Sequence, residues 1–298
     1  MTVRIHVGAH KTASTELQYA IRSVRNELAG QGLGFLGPSA LRSQRLPLSR
    51  AIRGDQNLAA EPLRAKLRYW LSSHEDHLIS EENILGTTSR GEMFGGDDVL
   101  YPGAEDRLAR TLELLGKPEV ELFLAIRDPA TFVTSAYGQQ LRSGALVDVS
   151  TYVRGVKVRS LDWTGLIERL LGCEGVSRVV CWRLEDHTQV RGRVLARLLG
   201  PERAALVPPA TLRHRGVSEK AYRYFMKTAL EDMETPVQTL LRDAQKRHPR
   251  LEGEPSMRLL HHRTYRSSLV NYDAQAGRIA GMERVEFLRP QNPPVPPV

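Results

Sequence analysis

The stretch Val3-Arg4-Ile5-His6-Val7-Gly8-Ala9-His10-Lys11-Thr12-Ala13-Ser14-Thr15 constrains this chain more than any other. A short apolar run ends in a Gly, a Lys and a cluster of hydroxyl residues. It passes directly into an amphipathic helical pattern, with Leu17, Ala20, Ile21, Val24 and Leu28 at spacings of three and four. The local reading is strand, tight loop, helix. A helix entered this way points unpaired backbone N–H groups and its positive dipole end into the loop. Lys11 adds a full positive charge, and Thr12, Ser14 and Thr15 add hydroxyl donors. Such a loop suits a phosphate or a sulfate. A Ser/Thr-rich turn is also a common helix cap, so the loop alone leaves both readings open.

The loop is not a nucleotide triphosphatase P-loop. That pattern needs a Gly, four residues, then Gly-Lys-Ser/Thr, and here His10 precedes Lys11. Thr12 stands where a magnesium-holding hydroxyl would sit, but no apolar strand ends in a convincing second magnesium aspartate.

Along the rest of the chain, β-branched apolar runs alternate with helical patterns. This predicts an α/β fold, a parallel sheet flanked by helices. Strands are expected at 3–7, 33–36, 76–80, 119–126 and 177–183. Helices are expected near 14–29, 61–73, 103–115, 129–142, 161–171, 189–199, 218–231, 236–247 and 257–280. Segments 37–60 and 84–102 read as long loops of the kind that form lids or binding loops, and the second is rich in Gly. From about residue 186 helical patterns dominate. One α/β domain is therefore expected over 1–285, its C-terminal part helical and packed on the same sheet. A Pro-rich tail is expected over 286–298.

At 298 residues the chain is long enough to bury a substantial core. No apolar run reaches the length of a membrane span, and the N-terminus has no signal-peptide core. Only Cys173 and Cys181 are present, and they read as reduced core residues. A cytoplasmic enzyme is the expectation. The formal charge is +8 and the pI about 9.7, a balance that favours anionic ligands. No zinc-finger spacing, RNA-recognition signature or aromatic-interleaved basic strand accompanies it, so nucleic acid is not expected as a partner.

Two further motifs carry chemistry. In Leu124-Ala125-Ile126-Arg127-Asp128-Pro129 an apolar strand ends in Arg and Asp-Pro opens a helix, with Ser135 eight residues after Arg127. The Ser can fold back beside the Arg, and guanidinium plus hydroxyl make a phosphate clamp. The plainer alternative is an Asp N-cap with Pro in the first turn and Arg127 in a surface salt bridge. In His77-Leu78-Ile79-Ser80-Glu81-Glu82-Asn83 a strand runs into consecutive carboxylates at the sheet edge where ligands of open α/β sheets gather. There they are either a proton acceptor or simply solvated acids. His74, Asp76 and His77 are metal-ligand types without a third His in register, so no metal is expected. His261-His262-Arg263 reads as part of a solvated basic helix face.

Taken together these motifs resemble sulfotransferases that use 3′-phosphoadenosine-5′-phosphosulfate. Lys11-Thr12-Ala13-Ser14-Thr15 is similar to the family's 5′-phosphosulfate loop, which typically reads Lys-Thr-Gly-Thr/Ser-Thr, with Ala13 at the usual Gly. Arg127 and Ser135 match its 3′-phosphate motif at the same spacing. Ser80-Glu81-Glu82-Asn83 resembles the Ser-Ser/Asp-Glu-Asn stretch of bacterial members, with Glu82 at the family's Glu. Leu161-Asp162-Trp163, Trp182-Arg183-Leu184-Glu185 and Arg215-Gly216-Val217-Ser218 extend the likeness over roughly residues 1–230. A later Arg-Lys-Gly segment that grips the 3′-phosphate in some members is not found.

The resemblance implies a P-loop-NTPase-like three-layer sandwich and transfer of a sulfuryl group to a hydroxyl of an unidentified acceptor, a saccharide or small molecule. On that reading Lys11 neutralises the leaving group. Thr12, Ala13, Ser14 and Thr15 hold the 5′-phosphosulfate, and Arg127 and Ser135 hold the 3′-phosphate. Glu82 is the preferred base and His10 its competitor. The alternatives are a P-loop-type small-molecule kinase and a non-catalytic nucleotide-binding protein of the same fold.

Overall fold

The computed structural model describes residues 2–96, 99–210, 216–251, 254 and 256–291. The strands are β1 Thr2–His6, β2 Leu33–Leu36, β3 Asp76–Ser80, β4 Val120–Ile126, β5 Val176–Arg183 and β6 Val285–Leu288. They form one sheet in the order β2-β3-β1-β4-β5-β6, and every neighbouring pair is parallel. Parallel strands need crossovers, and the helices that supply them cover both faces. In β4, Leu122, Leu124 and Ile126 enter one apolar core while Phe123 and Ala125 enter the other. The first core is closed by helices including Ala60–Ser72, Ala104–Leu114, Pro129–Arg142, Trp163–Leu171 and His262–Ala280. The second is closed by Ser14–Ser23, Arg25–Gly30 and His187–Leu199. This is the expected three-layer α/β sandwich.

Four departures from the sequence reading have local causes. The helix expected over 14–29 breaks at Val24, where φ is −116°. Segment 37–60 holds the short helices Pro38–Leu41 and Leu48–Ala51, fixed by the buried Leu41, Leu48 and Ile52. Segment 84–102 is folded back by an antiparallel bridge between Phe94 and Leu100 and anchored by buried Met93, Phe94, Leu100 and Tyr101. Residues 286–288, expected in the tail, belong to β6, which pairs with β5 from Val179↔Val285 to Trp182↔Leu288. Tail residues from 292 onward, and Arg215, lie outside the described residues. Among the described residues no helix is long and apolar enough to cross a membrane.

Candidate functional site

The sheet order brings the three motif loops together. β1 lies between β3 and β4, and the chain leaves β1 and β4 towards opposite sides of the sheet. A crevice opens at such a reversal, at the carboxyl ends of the strands. It holds a cavity of about 560 Å³ lined by Lys11 after β1, Glu82 after β3 and Arg127 after β4.

The loop after β1 is shaped by its backbone. The Val7 and Gly8 N–H groups both donate to the Phe123 carbonyl, at 3.1 and 3.3 Å. Gly8 has φ +30°, and a Cβ there would lie 2.4 Å from Ser14 Oγ and 2.9 Å from His6 Nε2. Lys11 and Ala13 both adopt left-handed φ, 65° and 67°. Ala13 is the N-cap position of Ser14–Ser23 and offers no side-chain cap. The cluster is therefore not a helix cap, and the helix N-terminus opens on the loop. Ser14 and Thr15 line the cavity, and Ser14 Oγ is buried without a hydrogen-bond partner. Thr12 points elsewhere: its buried hydroxyl donates to the Ala9 carbonyl at 2.5 Å and closes the loop on itself.

A left-handed alanine costs about 1–2 kcal/mol that glycine avoids. Glycine gives back part of that through its looser unfolded chain. Ala13→Gly is expected to raise stability by up to about 1 kcal/mol, read as a small increase in Tm by calorimetry; a lower Tm would contradict the strain.

Arg127 ties the second motif to the first. Its Nη1 donates to the Lys11 carbonyl at 2.9 Å and its Nε to Thr131 Oγ1 at 3.1 Å. Its own carbonyl accepts from Trp163 Nε1 at 2.8 Å. The guanidinium thus braces the kinked loop instead of pairing with a surface acid. Asp128 caps Pro129–Arg142 through the Thr131 N–H at 3.0 Å. Asp128 also accepts from Ser268 Oγ at 2.6 Å, and its N–H donates to Glu185 Oε1 at 3.0 Å. The Leu161–Trp163 and Trp182–Glu185 stretches therefore support the site from behind. Ser135 lies about two turns along the helix and faces the cavity.

The two carboxylates of the third motif have different surroundings. Glu81 is fully buried, gripped by Arg42 Nε at 3.0 Å and Nη2 at 2.6 Å, by Ser49 Oγ at 2.9 Å and by the Asn83 N–H at 3.0 Å. Glu82 lines the cavity, with Arg42 Nη2 at 3.2 Å. Burial, then the neighbouring Glu81 charge, push the Glu82 carboxyl above the usual carboxylate range. His10 also lines the cavity. Its N–H donates to Tyr101 Oη at 3.1 Å, its Nδ1 is 3.1 Å from the same oxygen, and the rings stack at 5.9 Å. Burial drives its pKa down to about 4. The Lys11 ammonium is lowered to about 8 by burial, then by Arg142 and Arg127.

His10, Lys11, Ala13, Ser14, Thr15, Glu82, Arg127 and Ser135 thus share one cavity, and Thr12 alone of the expected residues turns away from it. Residues that the sequence reading missed also line it. Gln139 and Arg142 follow Ser135 at spacings of four and three on the same helix face, a periodicity that was there to be read. Arg42 and Arg250 arrive from segments with no sequence signal. Arg250 Nε donates to the Glu254 carbonyl at 2.9 Å, and its Nη1 lies 3.3 Å from where a Cβ on Gly216 would be. Glu16 faces the cavity, held by Arg191 Nη2 at 2.7 Å and His187 Nε2 at 3.3 Å. Burial works against its ionisation, yet hydrogen bonds from His187 and Arg191 keep its carboxyl below the ordinary range.

The weaker constellations resolve into structure. Asp76 pairs with Arg203 at 2.6 Å, and His77 Nε2 is 3.3 Å from the Trp70 carbonyl. Among the described residues no group of three or more His, Cys, Asp or Glu is placed to hold a metal ion. His261 is the N-cap residue of His262–Ala280.

No protein-family model and no curated protein matches the chain. Among solved structures it is similar to a sulfotransferase from Alicyclobacillus acidocaldarius, at 13% identity and a TM-score of 0.42, over 81% of this chain and 96% of that one.

Proposed function

We infer that the chain is a sulfotransferase that moves a sulfuryl group from 3′-phosphoadenosine-5′-phosphosulfate to an acceptor hydroxyl. The observation that carries this reading is the 2.9 Å bond from Arg127 to the Lys11 carbonyl. It couples two cationic anion-binding elements, and Glu82 lines the same cavity. A donor with a 5′-phosphosulfate and a separate 3′-phosphate fits that pairing.

The helix N-terminus, with the Ser14 and Thr15 hydroxyls, holds the phosphosulfate. Arg127 and Ser135 hold the 3′-phosphate, and Arg250 is a third candidate ligand on that side, since its charge is felt by Arg127. As the acceptor oxygen attacks sulfur, its proton passes to Glu82 and an O–S bond forms. The bond from sulfur to the bridging phosphate oxygen breaks, and that oxygen leaves with the electron pair. Lys11 neutralises the charge as it develops. The products are the sulfated acceptor, 3′,5′-adenosine bisphosphate and a protonated Glu82.

Thr12 weighs against the kinase alternative. Its hydroxyl, which a P-loop would direct at magnesium, is buried and donates to the Ala9 carbonyl.

Isothermal calorimetry tests the reading. 3′,5′-Adenosine bisphosphate is expected to bind tightly and ATP with magnesium weakly; the reverse order would support the kinase instead. Arg127→Ala is expected to weaken the bisphosphate by about tenfold or more, the scale of a lost charge-assisted contact, and to weaken adenosine 5′-monophosphate by less, that smaller loss reporting the Lys11 loop released from its brace. Equal losses for both nucleotides would remove Arg127 from the 3′-phosphate.

A further inference from the structure

One buried histidine has no part in the chemistry above. His6 ends β1, where the donor loop begins, and is buried. Its ring stacks on Trp182, with centroids 6.0 Å apart and 21° between the planes. Its Nδ1 lies 2.8 Å from Ser80 Oγ, at the end of β3. Ser80 Oγ is also 3.1 Å from Gln18 Nε2, which can only donate to it. Ser80 is fully buried, and among the described residues its own proton finds one acceptor, His6 Nδ1. The ring is neutral, since burial and then the charge of His187 bring its pKa down to about 4. A neutral imidazole that accepts at Nδ1 carries its single proton on Nε2.

That proton faces the donor loop. His6 Nε2 and Ser14 Oγ are both buried without a hydrogen-bond partner, a costly state for a donor and an acceptor side by side. A Cβ on Gly8 would stand 2.9 Å from the first and 2.4 Å from the second. The two atoms therefore lie on the same side of Gly8 and within reach of each other, directly or across one water. The other end of the network reaches the proposed base. Gln18 stands one turn after Ser14 in the helix Ser14–Ser23, and its side chain hydrogen-bonds the Glu82 carboxyl. Ser80 itself is two residues before Glu82 along the chain.

We propose that His6 is a positioning residue: its Nε2–H holds the Ser14 hydroxyl oxygen, so that the single Ser14 proton is left for the phosphosulfate. This rests on the sulfotransferase reading above. The hydrogen bonds then run in one direction, from Gln18 to Ser80, from Ser80 to His6 and from His6 to Ser14. The second N–H of the Gln18 amide is left for Glu82. One buried network thus sets both the donor loop and the base, and His6 keeps one protonation state throughout.

The tautomer can be read directly in the full-length protein. With the histidine nitrogens isotopically labelled, a long-range proton–nitrogen spectrum at neutral pH is expected to show His6 bare at Nδ1 and protonated at Nε2. The His6 signals are those lost in His6→Asn. A ring protonated at Nδ1, alone or together with Nε2, would overturn the proposal. Affinity for 3′,5′-adenosine bisphosphate is then measured by calorimetry. Asn places an amide nitrogen near the Nδ1 position, and Gln places one near Nε2. His6→Asn is expected to weaken binding by about three- to tenfold, the scale of one hydrogen bond, and His6→Gln to restore most of it. Ser14→Ala is expected to cost about as much as His6→Asn. Adding His6→Asn to Ser14→Ala should then cost less than about twofold, the non-additivity of a residue that acts through another. Additive losses, equal losses in the Asn and Gln variants, or unchanged affinity in Ser14→Ala would each overturn the proposal. A thermal melt of each variant reports the fold. The parent titration separates the two levels. No bisphosphate binding by the parent removes the donor site and this proposal with it, whereas tight binding with additive losses removes only the role of His6.

Discussion

Lys11→Met is expected to lower turnover by about 10²–10³-fold, the loss that follows removal of one preorganised charge-stabilising group, while raising the melting temperature at pH 7. Both effects come from the position of one ammonium. It is held in a left-handed loop residue at the mouth of a helix, and burial with Arg142 and Arg127 nearby brings its pKa from 10.5 to about 8. Between pH 8 and 10.5 the unfolded chain therefore binds more protons at this site than the folded one, and stability rises with pH across that window. Below about 8 the charged lysine exerts its full destabilising effect. The methionine variant removes that effect, so its gain in Tm is complete at pH 7 and shrinks as pH approaches 10.5. The donor's negative charge would offset the same burden. Affinity of the parent protein for 3′,5′-adenosine bisphosphate should thus be level between about pH 7, where the ligand's phosphates are fully ionised, and pH 8, and fall above it, and the variant should show no such bend. Turnover near normal at saturating donor would take Lys11 out of the chemistry.

The strands were legible because a parallel sheet covered on both faces writes itself as continuous apolar runs. β4 is the plainest case, with Leu122 to Ile126 buried without interruption. β6 lacks that signature: it is a four-residue edge strand, Val285 to Leu288, with Glu286 in its middle and prolines close behind. The site's loops were legible for a similar reason, since each is a local strand-to-helix transition. What lay beyond reach was long-range. That Glu81 is structural and Glu82 faces the cavity depends on Arg42 and Ser49, thirty-nine and thirty-two residues away. That His10 is a weak base depends on burial beside Tyr101, ninety-one residues away. Nor did residue type reveal that Thr12 closes the loop through Ala9, because a threonine after a lysine reads the same whichever way its hydroxyl turns.

Those distant contacts favour Glu82 over His10 as the proposed base, and Glu82→Gln tests that choice. The substitution is expected to lower kcat by about 10²–10⁴-fold, the usual contribution of a positioned general base, with bisphosphate affinity within a few-fold of the parent. His10, brought to about pKa 4 by burial, has little drive to take a proton at neutral pH. Glu82 is displaced the other way, above 4.5, by burial and by Glu81. If Glu82 is the base, the acid limb of the kcat profile lies above the ordinary carboxylate range. If His10 is the base, the limb lies near 4 and His10→Gln causes the larger loss. Stability supplies an independent check. A carboxyl with a raised folded pKa favours the native state fully below 4.5, and that contribution is lost as pH rises through the folded value. Glu82→Gln should therefore be more stable than the parent at pH 7, with the difference vanishing below about 4.5. An inactive variant with a higher Tm would separate a missing proton acceptor from a damaged fold, and an inactive variant with a lower Tm would make Glu82 a structural partner of Arg42.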